Sequence, residues 1–459
     1  MKNKSLIIVF IMLAGAFSAI GQSHLWKYPT CPTDTSIVRK WKDEMYLVYF
    51  RFGLVREVVL HDIATSMTYS VPIPSVININ DFRIAGDSVF AGGYIQDVSG
   101  KRGILACFDI NDMINGSGTF KWMKFDNSSL QYTCCDIADR GVLITEVKRI
   151  SLFKDGHLTR IAFIANNHIV NYPNHNIVYM KHIGYGDAAF TGDPITPWEL
   201  NQYHYNKDGV EEYTDIACTD NRIVVTAKDK EEDWFHFMVF NRTANFANYC
   251  LLSPPIYYFT DHTVAEQVMV TECGGDKVAV TYNFREPANR GIAVKLLDVG
   301  SSAPVLLNSL DIPTTAVGMM KDTRYSPAGP RLWFLTEANS PFTNIWNYYI
   351  FSLDVNNIYA GFYAAKSITD CKFHSLDNFR FDGFVASGMN NGVLNVYDLF
   401  DWSEPDNCGN TEMIPGTPCS PTFRSFGRHH CIVTPNQISD SIFFTTSGEE
   451  TENICITED

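Results

Sequence analysis

The chain has 459 residues, of which 46% are hydrophobic and 19% are charged, so it can bury a large core and is not predominantly disordered. Its formal net charge of −15 argues against nucleic acid or an anionic membrane as the main partner, because phosphate binding needs a basic face. Aromatic residues make up 13% of the chain, a proportion that favours β structure.

The first residues predict a secretory signal peptide. Lys2 and Lys4 precede an apolar run from Leu6 to Ile20, and small residues occupy positions −3 and −1 before a cleavage point that follows Gly21. The run is too short to span a membrane, no later stretch reaches spanning length, and no cysteine directly follows the junction to carry a lipid anchor. We therefore expect a signal peptide at 1–21, a single domain at 22–459, and a secreted or periplasmic protein.

The stretch from Asn80 to Phe125 contains four short runs of β type, separated by Gly, Asn, Asp and Ser residues that favour turns. The runs are 80–84, 88–94, 103–110 and 119–125. We interpret this stretch as one structural unit of four strands.

The apolar strand around Val89 has counterparts along the whole chain. They are centred on Met45, Val142, Ile223, Val278, Leu332, Phe384 and Ile442, with a weaker one at Val178. The spacing, about 50 residues per unit, is in the range of repeat proteins built from four-stranded sheets. The pattern indicates a repeated unit and shows no helical periodicity.

A second pattern is an apolar strand that ends in Asp followed by an aliphatic residue. It occurs at Gly103–Ile110, Gly291–Val299, Tyr348–Val355 and Gly392–Leu399. It resembles the third strand of WD40-type and related β-propeller blades, in which Trp, Tyr or Phe precedes Asp. The Gly-His half of the WD40 signature is missing, so the resemblance implies the generic propeller fold and no WD40 function.

These patterns predict an all-β fold, a single β-propeller of roughly seven to nine four-stranded blades, with eight favoured. The number depends on whether Val178 marks a blade of its own or an elaboration of its neighbour. We expect a strand near Leu25–Tyr28 to complete the last unit, His430–Ile456, and close the ring. Closure is favourable because a lone four-stranded sheet cannot bury both faces.

The chain has 12 cysteines, all beyond the predicted cleavage point. An even number in an oxidising compartment suggests disulfides, although several could equally be buried thiols. Cys408 and Cys419 could close the long loop 402–420, and Cys31 could pair with Cys431 or Cys455. No pair has the CxxC spacing of a zinc or redox site.

Motifs for catalysis and metal binding are missing from the sequence. It has no GxSxG, no HExxH, no zinc-deaminase signature and no phosphate-binding Gly-rich loop. His168, His175 and His182 recur every seven residues, but neighbours at this spacing fall on opposite faces of a strand. We predict neither a metal site nor a cofactor, and name no catalytic residue.

Aromatic residues in or beside predicted connections are the best candidates for a ligand-binding surface. They are Trp198, Tyr203, Tyr257, Tyr258, Trp346, Tyr348 and Tyr349. The favoured hypothesis is a secreted binding module that contacts a glycan or a protein through one rim of loops. The alternatives are a carbohydrate-active or other hydrolase, with acidic residues at the central channel, and a structural subunit of an envelope assembly. Ligand and oligomeric state stay open.

Overall fold

The structure is a computed structural model, and it describes part of the chain. The described residues are 26–29, 38–41, 46–52, 56–62, 67–98, 100–118, 121–124, 142–155, 158–169, 172–182, 200–204, 211–229, 235–242, 256–258, 262, 264–286, 290–301, 303–313, 319–326, 330–339, 346–358, 365–368, 372–379, 383–390, 393–399, 443–446 and 450–453.

Antiparallel sheets of four strands follow one another along these residues. Sheet 1 contains β2 (Val38–Trp41), β3 (Tyr46–Phe52), β4 (Arg56–Asp62) and β5 (Thr68–Ile73). Sheet 2 contains β6 (Ile77–Ala85), β7 (Ser88–Asp97), β8 (Gly100–Asp109) and β9 (Lys121–Lys124). Sheet 3 contains β10 (Val142–Asp155), β11 (Leu158–Ile169), β12 (Tyr172–His182) and β13 (Leu200–His204). Sheet 4 contains β14 (Glu211–Cys218), β15 (Arg222–Asp229), β16 (Phe235–Asn241) and β17 (Ile256–Tyr258).

Three more sheets complete the set. Sheet 5 contains β18 (Ala265–Glu272), β19 (Lys277–Arg285), β20 (Arg290–Asp298) and β21 (Val305–Pro313). Sheet 6 contains β22 (Met319–Ser326), β23 (Arg331–Asn339), β24 (Trp346–Asp354) and β25 (Ala365–Ile368). Sheet 7 contains β26 (Lys372–Phe379), β27 (Gly383–Asn390), β28 (Val393–Leu399) and, from the start of the chain, β1 (Trp26–Pro29). The described residues thus form seven four-stranded sheets, followed by a separate hairpin of β29 (Phe443–Thr446) and β30 (Glu450–Asn453).

The only helix in the described part of the chain is short. It is α1 (Ile110–Ile114), and the Asp109 carboxylate caps it by accepting hydrogen bonds from the backbone N–H groups of Asn111 and Asp112. No helix among the described residues is long and apolar enough to cross a membrane. The all-β class is therefore confirmed.

The predicted units agree with the sheets in most respects. The four runs between Asn80 and Phe125 correspond to β6–β9, and the Asp-ending pattern lies on β8, β20, β24 and β28, the third strand of its sheet each time. Val178 lies on β12, the third strand of sheet 3, so it elaborates its neighbour rather than marking a further unit. The strand around Val89 is β7, the second of its sheet.

The position of β1 differs from the prediction. It pairs antiparallel with β28, with Tyr28 opposite Leu394, and so belongs to sheet 7 rather than to the unit His430–Ile456. β28 is the third strand of its sheet and offers a free edge, and β1 covers that edge. Near Ile442 the described residues show only the hairpin of β29 and β30.

Apolar cores lie between neighbouring sheets. The core shared by sheets 4 and 5 includes Val224, Phe237, Val270 and Tyr282, all nearly inaccessible to solvent. Similar cores join sheets 1 and 2, 3 and 4, and 5 and 6. In these pairs the neighbouring sheets therefore bury their faces against each other, as blades of a β-propeller do.

Polar contacts also link the first strands of the sheets. The first strand of each sheet contacts the first strand of the next, and β2 contacts β26. The Trp41 indole donates a hydrogen bond of 3.1 Å to the carbonyl of Gly86 in sheet 2. The Arg39 guanidinium donates one of 3.2 Å to the carbonyl of Leu376 in sheet 7.

The described cysteines are free thiols. Cys107, Cys218 and Cys273 are all buried. The cysteines for which we predicted disulfides, Cys31, Cys408, Cys419, Cys431 and Cys455, lie outside the described residues.

Candidate functional site

The first strands of all seven sheets line one cavity of about 50 Å³, which we call the inner cavity. Its lining residues are Arg39, Asp81, Arg83, Arg149, Asp215, Met269, Lys321, Asp322, Arg324 and Ser375. The volume has room for only a few water molecules or a compact ion. Most of the lining is charged, although the first strands otherwise carry the apolar residues of the cores.

Bulges bring the acidic residues of the inner cavity into place. The pairing of first and second strands shifts register immediately before Asp81, Asp215 and Asp322. A bulge inserts an extra residue and re-aims the side chain that follows it. The same local distortion therefore recurs in sheets 2, 4 and 6.

Each of these carboxylates bridges to the next sheet. Asp81 Oδ2 accepts a hydrogen bond of 3.1 Å from the backbone N–H of Ile150. Asp215 Oδ2 accepts one of 3.0 Å from Val270, and Asp322 Oδ2 one of 2.8 Å from Leu376. The acceptor oxygens of the inner cavity thus satisfy buried backbone donors of sheets 3, 5 and 7.

Arginines pair with two of the carboxylates. Arg83 donates a hydrogen bond of 2.6 Å to Asp81 Oδ1, and Asp81 is 2% exposed. Arg324 lies 3.3 Å from Asp322 Oδ1 and donates to the carbonyl of Leu376. These charge-assisted bonds hold the carboxylates in one orientation.

The two carboxyl groups of Asp81 and Asp215 have pKa values shifted in opposite directions. Burial raises the pKa of Asp81, but the charges of Arg83, Arg149 and Arg39 and the N–H of Ile150 outweigh it, so the pKa lies below its ordinary value. At Asp215 burial prevails over Arg149 and the N–H of Val270, and the pKa is raised. The two pKa shifts differ in direction because Asp81 forms an ion pair with Arg83, whereas no ion pair with Asp215 is present among the described residues.

The arginines crowd one another. Burial, and then repulsion from Arg324 and Arg83, lowers the pKa of Arg39, although a guanidinium stays protonated at neutral pH. For Arg324, burial lowers the pKa but the attraction of Asp322 and other carboxylates outweighs it and raises the value.

Arg149 differs from the other cations of the inner cavity. Lys321 forms an ion pair with Glu337 in sheet 6, and Arg39, Arg83 and Arg324 donate to carbonyl or carboxylate oxygens. The described residues provide no hydrogen-bond acceptor to the guanidinium of Arg149, which only attracts Asp81 and Asp215 at longer range. Its donors are available within the described part of the cavity.

Comparison with known proteins shows only distant likeness. No protein-family model matches the sequence, and no curated protein matches it. Among solved structures, the β-propeller domain of the trilobed protease from Pyrococcus furiosus is 10% identical, with 83% of this chain and 94% of that chain covered and a TM-score of 0.44. Prolyl oligopeptidase B from Galerina marginata is 10% identical over 87% of this chain and 51% of that chain, with a TM-score of 0.48.

The WD40 repeats of RRP9 are a third similar structure, 7% identical over 81% of this chain and 98% of that chain, with a TM-score of 0.42. Likeness at this level carries no information on activity, substrate or partner. The chemistry of this chain has to be argued from its own residues.

The described aromatic candidates lie on strands of three different sheets. Tyr203 lies on β13, Tyr257 and Tyr258 on β17, and Trp346, Tyr348 and Tyr349 on β24, which places them on sheets 3, 4 and 6. Trp198 lies outside the described residues. The Tyr257 ring stacks on Phe237, with ring centroids 5.0 Å apart, and packs against the core between sheets 4 and 5. Tyr257 is therefore partly a core residue.

The residues of the inner cavity were not among the candidates predicted from the sequence. A signal was present: Asp81-Phe82-Arg83 and Asp322-Thr323-Arg324 repeat the same Asp-x-Arg spacing, each just before the second strand of a sheet. Among the described residues, no three His, Cys, Asp or Glu side chains are grouped so that they could hold a metal ion. The inner cavity combines carboxylates with arginines instead.

Proposed function

We propose that the chain is a secreted or periplasmic binding module, freed of residues 1–21, on a closed ring of seven blades. The pairing of β1 with β28 supports closure, because it joins the beginning of the described chain to its last four-stranded sheet. The hydrogen bond from Arg39 to Leu376 supports it from the inside of the ring, since it connects sheets 1 and 7. A closed ring of this kind is rigid and presents its loops on two faces.

Binding rather than catalysis is favoured by the use of the carboxylates in the inner cavity. Asp81, Asp215 and Asp322 each accept a backbone N–H from the next sheet. A general acid or base has to exchange a proton with substrate, and a carboxylate that holds two sheets together is poorly placed to do so. This observation is the one on which the proposal depends.

The ligand we propose is a glycan or a protein that contacts one rim of loops. Stacking of sugar rings or burial of a protein anchor would use the aromatic residues on sheets 3, 4 and 6, with Trp346 and Tyr258 at the ends of their strands. Tyr257 contributes less to this surface, because its ring packs on Phe237.

A glycan-array screen with residues 22–459 tests the sugar version of this proposal. We expect a defined set of hits, and at least about a tenfold loss of affinity in Trp346→Ala, as a lost aromatic anchor is worth 1.4 kcal/mol or more. Leu306→Ala is the control and should bind like the wild type, because Leu306 is exposed on β21 of sheet 5, which carries none of the aromatic candidates. An array without hits, or equal losses in both variants, would contradict a sugar-binding rim.

A hydrolase is the second candidate, and one observation favours it. Asp81 and Asp215 line the same cavity with pKa values displaced in opposite directions, as in acid/base pairs of carboxylates. If the chain is a hydrolase that uses this pair on a small substrate, Asp81→Asn and Asp215→Asn should each abolish turnover of a chromogenic substrate library. Turnover that survives both substitutions would eliminate these residues as catalysts.

A further inference from the structure

We propose that the inner cavity is an anion site, at which Arg149 binds a small oxyanion of the carboxylate or phosphate type. None of the aromatic candidates lines this cavity. It would take a compact anion rather than a sugar or a peptide, because its volume is about 50 Å³.

The lining of the inner cavity contains more cationic than anionic side chains. Five cations, Arg39, Arg83, Arg149, Lys321 and Arg324, line it together with three carboxylates, so its lining is cationic although the whole chain has a net charge of −15. Two further carboxylates outside the lining offset this excess of two positive charges. Glu337 pairs with Lys321, and Asp377 attracts Arg39 and Arg324. Neither of these pairings involves Arg149.

Arg149 lines the inner cavity with hydrogen-bond donors. Its planar guanidinium carries five N–H donors suited to bidentate contact with a carboxylate or a phosphate. Within the described residues those donors have no hydrogen-bonded acceptor, although the residue is half-buried. A donor group of this strength at a cavity wall is expected to be satisfied by something that enters the cavity.

The neighbouring carboxylates do not supply the acceptor that Arg149 lacks. Asp81 already binds Arg83 and the N–H of Ile150, and Asp215 binds the N–H of Val270. Both are fixed by these bonds and attract Arg149 only at longer range. An incoming oxyanion could therefore use Arg149 without displacing an internal hydrogen bond. It would also relieve the mutual repulsion of Arg39, Arg83 and Arg324.

Isothermal titration calorimetry of the chain 22–459 with inorganic phosphate and with malonate, at constant ionic strength in sodium chloride, tests the proposal. We expect saturable binding of at least one of the two, with a stoichiometry near one. The anion that binds more tightly identifies the head group. Arg149→Gln should weaken binding about 10- to 100-fold, because it removes a charge-assisted bidentate contact. Arg149→Lys keeps the positive charge but loses the bidentate geometry of the guanidinium. Its affinity for the anion should therefore lie between those of the wild type and Arg149→Gln.

Arg285→Gln is the matched control, since Arg285 is exposed on β19 and does not line the inner cavity. It should bind the anion like the wild type. Urea unfolding of each variant without ligand shows whether it is folded, and Arg83→Gln provides a second cavity variant if Arg149→Gln is not. Absence of saturable binding to both anions would overturn the proposal. Equal weakening in Arg149→Gln and Arg285→Gln would overturn it too, because it would show a general charge effect.

Discussion

The Oδ2 atom of Asp322 accepts a hydrogen bond of 2.8 Å from the backbone N–H of Leu376, which belongs to the next sheet of the chain. Asp81 and Asp215 make the same contact from sheets 2 and 4. We call this hydrogen bond between neighbouring sheets a joint. It lies at the inner cavity, whose lining is charged rather than apolar. A carboxylate suits this position because it can accept several hydrogen bonds at once.

Removal of one joint should destabilise the fold strongly. Asp322→Ala leaves the buried N–H of Leu376 without its acceptor and Arg324 without its nearest carboxylate, so we expect a loss of about 3 kcal/mol in the free energy of unfolding. Urea denaturation measures it. Asp311→Ala, at an exposed position on β21, is the control and should cost less than about 1 kcal/mol. Equal costs would show that Asp322 is not a joint.

The amide substitutions of Asp81 and Asp215 should have different effects. Asp81→Asn removes a charge that Arg83, Arg149 and Arg39 stabilise, and should cost about 2 kcal/mol. Asp215→Asn keeps an acceptor for the N–H of Val270 but removes a charge that burial disfavours, so the variant should be as stable as the wild type or more stable. Chemical denaturation at neutral pH compares them. A larger loss at Asp215 than at Asp81 would contradict the account.

Asp215 and Asp81 should also make the stability of the fold depend on pH in opposite directions. The raised pKa of Asp215 means that folding is penalised at neutral pH, and the penalty disappears as the pH falls through the folded-state pKa towards the ordinary value of 3.8. Asp81, with its lowered pKa, contributes stability that is present above 3.8 and is lost as the pH falls through its folded-state pKa. The unfolding free energy of the wild type relative to Asp215→Asn should therefore increase as the pH is lowered from neutral. A constant difference would refute the assignment.

The buried cysteines should be unreactive in the folded protein. Burial raises the pKa of Cys218 to about 12 and raises the pKa values of Cys107 and Cys273 as well, so all three stay protonated at neutral pH. We expect N-ethylmaleimide to label these three positions only after unfolding, as judged by peptide mapping. Labelling of any of them in the folded chain would show that it is accessible.

Gly93 should tolerate no side chain. A Cβ atom at this position would lie 1.9 Å from the backbone oxygen of Asn78, and the two strands cannot separate without breaking the pairing of β6 with β7. Gly93→Ala should therefore cost about 3 kcal/mol or more. Gly86, in the turn between these strands, has a positive φ of 60° and open space around it. Gly86→Ala should cost only about 1–2 kcal/mol, which thermal unfolding can distinguish. A similar cost at both positions would refute the close approach.

Local patterns were sufficient to predict the sheets. Strands β6–β9 follow from the alternation of apolar residues and turn residues between Asn80 and Phe125, and the Asp-ending pattern located third strands in four sheets. These features depend on neighbours in sequence, so a single sequence contains them. The same kind of pattern left open whether Val178 marks a further unit, because strand order within a sheet is not a local property.

Contacts between distant parts of the chain could not be predicted from local sequence patterns. The Asp-x-Arg spacing at Asp81 and Asp322 was visible, but nothing local shows that residues 241 positions apart line one cavity. A strand near the start of the chain was correctly predicted to complete a later sheet. The strand it pairs with, β28, was not the predicted one. The aromatic candidates were chosen because they lie in or beside predicted connections, and the described ones lie on strands of sheets 3, 4 and 6.

The proposed ring depends most directly on the meeting of the two ends of the sheet array. Lys27 lies opposite Asn395 in the pairing of β1 with β28, and residues directly opposite on antiparallel strands can be bridged. We expect Lys27→Cys/Asn395→Cys to form the corresponding disulfide in the folded chain, detected by peptide mapping, and to raise the unfolding midpoint in the oxidised form only. A fully oxidised variant without this cross-link would show that β1 does not complete sheet 7, and would contradict the closed ring on which the inner cavity depends.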